Sequence, residues 1–478
     1  MNISLLVRSL GQLLIFMAGF LLLPVLIGLI YHEMDMVYFI MVAAGALVCG
    51  LIFRGINTKG RKLRAKEGLA ISALSWIMLS FVGALPFYLS GAITSYTDAV
   101  FETASGFTTT GATILADVEK MSHCMLFWRS FTHWLGGMGI LVFILAVLPS
   151  DAQNMKLMKA ESPGPTVDKL VPKVKETARN LYIIYTAFTV AMILILILGG
   201  MEVFDSICIT FGTAGTGGFG VKNDSIAGYN TFCQVVITVF MLLFGVNFKF
   251  YFLLMTKKFK DIKKLEEVKW YFIIYLTAVI IIIPSILGDA GGVVNSIKEA
   301  TFQAASIMTT TGYSTVDFNL WHTLPKVILI FLMFVGACAG STGGGLKVSR
   351  IVIYAKQLKR QIGRFNHPLS VKKIKQDGGY LDDNTLNIAN VYIMAYVGVV
   401  ALSVIIIAID GFDFETTFTA VAATINNIGP GLGKVGPTGN FADFSVLSKW
   451  VMIFDMIAGR LELYPLLLLF APSSWTRQ

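Results

Sequence analysis

The chain has 478 residues, 55% of them hydrophobic and only 14% charged, with 38 Lys and Arg against 29 Asp and Glu for a net charge of +9. A soluble domain carries about 25% charged residues, and one of this size cannot hide so much apolar side chain and still cover itself with polar surface. A soluble enzyme, a disordered chain and a nucleic-acid binder are excluded, which leaves a multi-pass membrane protein whose first partner is the lipid bilayer.

Taken in chain order, ten apolar runs read as spans: near 9–31, 37–53, 68–90, 125–148, 181–200, 232–255, 270–288, 325–355, 388–410 and 448–471. No small-residue cleavage site follows the first run and a second comes soon after, so it reads as a retained span. Segments 54–66, 156–179, 249–269 and 347–375 hold six, six, seven and nine Lys or Arg. The alternate connections, about 91–123, 201–230, 289–324 and 411–449, are long, rich in Gly and Thr, and nearly free of them. The positive-inside rule puts the basic segments and both termini in the cytoplasm. The five cysteines are scattered with no C-x-x-C pair, so neither a disulfide framework nor a metal site is expected.

The four long connections repeat one pattern. In the first three, an acidic residue (Asp98, Asp205, Glu299) stands thirteen positions before a glycine (Gly111, Gly218, Gly312), and the fourth reaches Gly429 with a one-residue shift upstream. About twelve residues cannot cross a ~30 Å hydrocarbon core. A half-crossing helix with an extended return strand fits, and such backbone must be buried in protein or line a watery path. Four hairpins about one axis make a pore whose main-chain oxygens replace the water a cation sheds. Glycine supplies φ > 0 and leaves room, while the helix C-termini aimed at the axis favour positive charge. Neutral tips suit a monovalent ion better than Ca²⁺. The expected fold class is an all-α polytopic membrane protein: a two-helix extension (1–60), then four span–pore-hairpin–span repeats (61–155, 156–262, 263–375, 376–478) around a pseudo-fourfold pore.

The eighth run is interrupted by Gly336-Ala-Cys-Ala-Gly340-Ser-Thr-Gly343-Gly344-Gly345-Leu-Lys347. Each interior glycine costs about 1 kcal/mol relative to alanine in a helix. The run lacks the G-x-x-x-x-G-K-[ST] spacing of a phosphate loop, and reads either as an intramembrane loop beneath the hairpins or as a plain kink. Arg460 lies inside the last run, where a central arginine costs about 2.5–3.5 kcal/mol on insertion scales. It is expected to face the conduit and pair with the loop, or to pair with Asp455 or Glu462 on its own helix. Lys347 and Arg350 read as the cytoplasmic end of a helix. Trp134 and the Gly-Gly-x-Gly after it read as a packing surface, and Arg129 and His133 as interfacial anchors. Asp98, Glu102, Asp205 and Glu299 suit either a cation-attracting mouth or pore-helix N-termini.

These residues together resemble the Trk/Ktr/HKT superfamily of cation transporters, and within it the bacterial TrkH/TrkG group, over essentially the full length. The marks are Thr109-Thr110-Gly111-Ala112-Thr113, Trp134-Leu135-Gly136-Gly137-Met138-Gly139, Glu161-Ser162-Pro163-Gly164-Pro165, Thr310-Thr311-Gly312-Tyr313-Ser314, Asn426-Asn427-Ile428-Gly429-Pro430-Gly431 and Gly459-Arg460-Leu461-Glu462. The resemblance implies potassium uptake across the bacterial inner membrane, with one filter glycine from each hairpin: Gly111, Gly218, Gly312 and Gly429. Thr110 and Ala112, Gly217 and Phe219, Thr311 and Tyr313, and Ile428 and Pro430 flank them. K⁺, the transported ion, would be held by the carbonyls of Thr110, Gly111, Gly217, Gly218, Thr311, Gly312, Ile428 and Gly429. Relatives with serine at the first glycine position tend to pass Na⁺, so glycine at all four implies K⁺ selectivity. The resemblance further implies a gate from Gly336, Gly340, Gly343, Gly344, Gly345, Lys347 and Arg460. It also implies a homodimer and a cytoplasmic Rossmann-type subunit, TrkA, that binds ATP, ADP or NAD. No nucleotide motif or organic cofactor site is expected in this chain. The alternative is an H⁺- or Na⁺-coupled alternating-access carrier, disfavoured because the repeats run parallel and mid-span acids are scarce. No Ser/His/Asp set, H-E-x-x-H or paired intramembrane carboxylate points to an enzyme.

Overall fold

The computed structural model describes residues 2–57, 65–139, 174–367 and 373–475. The Glu161–Pro165 motif and much of the basic segments 54–66 and 156–179 lie outside the described residues. Among the described residues the regular structure is helical apart from one short hairpin. Helices Ile3–Phe20 and Leu22–Ile30 form one long span that breaks at Leu21. Pro24 explains the break, because its ring excludes the carbonyl four residues earlier and it has no N–H to give. Met36–Arg54 returns beside it. A Cβ on Gly11 would stand 2.6 Å from that of Phe53, and one on Gly50 would stand 2.9 Å from the Gly11 oxygen, so the two helices touch backbone to backbone there.

Four similar units follow. Each has a long outer helix: Ala65–Leu89, Val174–Leu198, Glu266–Ser285 and Asp383–Ile407. Each then has a short pore helix: Tyr96–Phe107, Val203–Gly215, Val293–Met308 and Phe414–Asn426. Each ends in an inner helix: His123–Gly137, Thr231–Gly245, Thr323–Val335 and Val446–Arg460. Side chains cap the N-termini of four pore or inner helices in the expected way, with Ser95 accepting from Asp98, Asn230 from Cys233, Asp413 from Thr416 and Ser445 from Ser448.

The solvent pattern is inverted. Leu198, Phe331 and Ile405 are 86%, 69% and 67% exposed on the outside, while Thr110, Thr311 and Asn426 are fully buried at the centre. That is the surface a bilayer covers. Among the described residues six helices are long and apolar enough to cross, or seven with one bent pair. At the inner helices the ten expected spans are corrected to shorter helices, and only the interruption of the eighth run was expected. These have 15, 15, 13 and 15 residues, and at 1.5 Å per residue each rises about 20 Å, short of the ~30 Å core. Run 232–255 turns by 90° between Gly245 and Phe248. Run 325–355 opens into the glycine loop, and run 448–471 breaks after Arg460, with Glu462 and Leu463 at φ 55° and 65°. Run 125–148 ends its helix at Gly137, and residues 140–173 lie outside the described set. Hydropathy hides these breaks because Val246, Leu461 and Leu463 are as apolar as helix residues.

One small hairpin was not expected. Lys375–Gln376 pairs antiparallel with Gly379–Tyr380 across Asp377-Gly378, both at positive φ. The Asp377 carboxylate accepts from the Glu266 N–H at 2.8 Å and caps the third outer helix.

Candidate functional site

Each pore helix ends the same way. Thr109, Thr216, Thr310 and Asn427 take φ of 56°, 56°, 60° and 55°. Their N–H groups donate to the carbonyls of Gly106, Thr213, Ile307 and Thr424. The next N–H groups, of Thr110, Gly217, Thr311 and Ile428, donate to Ser105, Gly212, Ser306 and Ala423 at 2.8, 2.8, 2.9 and 3.0 Å. Those two bonds make a Schellman cap. The following glycines, Gly111, Gly218, Gly312 and Gly429, have φ of 80°, 81°, 84° and 95°. The dihedrals align repeat two on Gly218, not Gly217, and repeat four on Gly429.

The strands close into a ring. A Cβ on Gly111 would fall on the Gly217 oxygen, one on Gly218 on the Thr311 oxygen, and one on Gly312 on the Ile428 oxygen. On Gly429 it would stand 2.9 Å from the Thr110 oxygen, which returns to repeat one. Each glycine therefore faces the carbonyl just before the next repeat's glycine, and no side chain fits at any of the four. All four line one cavity of about 200 Å³ with Pro430 and Phe441. Asn223 clasps its rim, giving its amide to Asp117 at 2.8 Å and taking the Val118 N–H at 2.8 Å. Asn223 and Lys120 hold the Asp117 carboxyl below its usual range.

The repeats differ behind this backbone. Thr108 and Thr110 pair their hydroxyls at 2.8 Å, as do Thr309 and Thr311. Repeat four has Asn427-Ile428 instead. Asparagine tolerates the left-handed region, and the Asn427 amide reaches Thr110 Oγ1 at 3.0 Å and the Met456 oxygen at 2.8 Å.

The glycine loop crosses directly beneath the ring. Gly344 N–H donates to Thr310 Oγ1 at 2.6 Å and Gly345 N–H to the Asn426 oxygen at 3.1 Å. Cys338 N–H reaches the Gly245 oxygen at 3.1 Å. Arg460 donates to the Thr342 oxygen at 2.8 Å and to the Gly136 and Gly137 oxygens, so it joins the loop to repeats one and four. Lys347, at φ 77°, is buried and donates to the Gly343 oxygen; it belongs to the loop and does not merely end a helix. Glu462 pairs with Arg350, and Asp455 accepts from Ser403 at 2.8 Å. Gly336, Gly340 and Gly345 all take positive φ.

Some buried residues around the ring and the loop escaped sequence reasoning. Glu267, on the third outer helix, is buried and accepts from Ala339 N–H at 2.6 Å and Ser349 N–H at 3.0 Å, so one carboxylate holds both arms of the loop. An acid in the first turn of an apolar helix was its only signal. Arg129 and His133 are not interfacial anchors: both are buried behind the ring, Arg129 paired with buried Glu102 at 2.6 Å. Their partners lie in other elements, which spacing along one helix does not reveal. Asp98 pairs with Lys449 at 2.6 Å, and Asp205 accepts from Tyr229 at 2.8 Å. The Trp134–Gly139 segment is a packing surface, since a Cβ on Gly137 would stand 2.7 Å from Gly215 Cα.

The family described as TrkH, cation transport protein, matches residues 36–477. The chain is 37% identical to the Trk system potassium uptake protein TrkH of Salmonella typhimurium, over 99% of this chain and 100% of that one. It is 32% identical to the Trk system potassium uptake protein TrkG of Escherichia coli K12, over 95% and 94%. The crystal structure of the potassium transporter TrkH from Vibrio parahaemolyticus superposes with a TM-score of 0.90 at 32% identity, covering 100% of both chains.

Proposed function

This chain belongs to the TrkH family of cation transport proteins, and from that premise we propose that it takes up potassium across a bacterial inner membrane through the glycine ring. The observation that carries the reading is the closure of that ring, in which four glycines at positive φ each face a neighbouring strand's oxygen. Such oxygens replace the hydration shell of a cation without a fixed charge. The carbonyls of Thr110, Gly111, Gly217, Gly218, Thr311, Gly312, Ile428 and Gly429 are the proposed K⁺ ligands. Loop 336–347 is the proposed gate, held shut by Thr310, Asn426, Arg460 and Glu267. A gated conduit in four repeats accounts for these contacts better than an alternating-access carrier. Both termini are assigned to the cytoplasm on the basic segments. A homodimer and a nucleotide-sensing cytoplasmic subunit, TrkA, docked on those segments complete the proposal.

The test is Gly312→Ser, with ⁸⁶Rb⁺ and ²²Na⁺ uptake measured in proteoliposomes. A side chain there falls on the Ile428 oxygen, and the expected loss of Rb⁺-over-Na⁺ preference is about tenfold or more, the scale of one misplaced ligand. A parental preference rejects the filter assignment.

A further inference from the structure

The strand of repeat two is gripped from behind by side chains of repeats one and three. His133 is fully buried, with Nδ1 2.7 Å from the Gly106 oxygen and Nε2 3.2 Å from the Phe219 nitrogen. A carbonyl only accepts, so Nδ1 carries the proton and Nε2 takes the Phe219 N–H. The Gly218–Phe219 peptide is trans, and its C=O therefore points opposite to that N–H. The imidazole packs against Gly217, whose own oxygen faces Gly111 on the next strand. With His133 outside the strand, the Gly218 oxygen is turned to the conduit.

Arg129 sits one helical turn before His133. It donates to the Gly220 oxygen at 2.9 Å and lies 3.5 Å from the centre of the Phe219 ring. Its charge is met by Glu102, which also accepts from Thr113 Oγ1 at 2.9 Å and Ile114 N–H at 3.0 Å on the strand of repeat one. The buried Tyr313 hydroxyl lies 3.2 Å from the Phe219 oxygen. Both main-chain groups of Phe219 are thus held, and strands one and two are tied through one ion pair. The positions matching Glu102 in the other repeats are Ile209, Gln303 and Ala420, so the frame exists once.

We propose that His133 and the Arg129–Glu102 pair are positioning residues for cation preference, keeping the Gly218 carbonyl in the ring and the first two strands at fixed separation. The proposal rests on the filter reading above. A structural role alone would lower the amount of folded protein but would not change which ion passes.

The experiment compares His133→Leu, which removes the acceptor, with His133→Gln, which keeps a carbonyl acceptor, alongside Gly312→Ser. ⁸⁶Rb⁺ and ²²Na⁺ uptake are read in proteoliposomes at equal protein. His133→Leu is expected to lower the Rb⁺/Na⁺ ratio about tenfold, the scale of one buried N–H left unpaired, and His133→Gln to restore most of it. A parental ratio in His133→Leu while Gly312→Ser loses preference overturns the proposal and leaves the filter standing. A parental ratio in both overturns the two together. If His133→Leu does not accumulate, Arg129→Lys keeps the charge but not the bridge from Glu102 to Gly220. It is expected to lower the ratio about threefold, and a parental ratio there overturns the proposal equally.

Discussion

The four pore hairpins share one backbone, whereas the four inner helices beneath them end in four ways. Thr-Thr-Thr-Gly in repeats one and three, Gly-Thr-Gly-Gly in repeat two and Asn-Asn-Ile-Gly in repeat four all reach the same cap and the same glycine dihedral. Below them stand a helix end at Gly137, a 90° turn, an open glycine loop and a break after Arg460. The proposed filter tolerates no strand that delivers its oxygen elsewhere, and the upper backbone is uniform. The proposed gate needs only one repeat, the third, to supply it. Its seats come from its own repeat and from the neighbours: Thr310 from repeat three, the Gly245 and Phe244 oxygens from repeat two, and Asn426 and Arg460 from repeat four. Fusing four units in one chain permits that division, which a tetramer of identical subunits cannot make.

The upper layer itself is not perfectly even, and its weakest junction can be located by substitution. A Cβ on Gly111 overlaps the Gly217 oxygen outright, while one on Gly429 meets the Thr110 oxygen less severely, at 2.9 Å. Gly111→Ala is therefore expected to cut Rb⁺ uptake about a hundredfold, combining overlap with the left-handed penalty, and Gly429→Ala only about tenfold. Equal losses at the two sites would show that the ring relaxes to the same extent everywhere. Beneath it, Arg460→Ala removes the hydrogen bond to the Thr342 oxygen and the two that tie the loop through it to repeat one, and is expected to raise uptake about tenfold with the Rb⁺/Na⁺ ratio unchanged. A changed ratio would mean that the two layers are not separable. The smallest effect is expected from Glu267→Gln, which removes the charge behind both bonds to the loop but keeps an oxygen in place of the Oε1 that the two N–H groups share. Uptake should rise about threefold. A decrease would assign Glu267 to folding and not to closure.

How much of this was legible depended on how far apart the interacting residues lie. The glycines at 111, 218, 312 and 429 stand out by pattern because the cap and the positive φ are local requirements. Asn427 looked like a departure from the Thr-Thr pattern, yet its side chain meets Thr110 across 317 positions of sequence. Arg129 and His133 were misread for the same reason. On an inner helix they resemble residues at a membrane boundary, and only Glu102, Gly106 and Phe219 make them interior. The glycine-loop break was legible in its composition, whereas the inner-helix breaks at Val246 and Leu461–Leu463 were masked because apolar residues continue through them.

Hydropathy, charge alternation and glycine spacing are properties of residues in their own short windows, and they dictated the membrane class, the order of helices and hairpins, and the turn positions. Which oxygen faces which glycine, how the ring closes from repeat four to repeat one, and where a buried arginine finds its carboxylate were decided only when distant segments packed. Those contacts depend on the relative placement of whole helices, which no local window encodes.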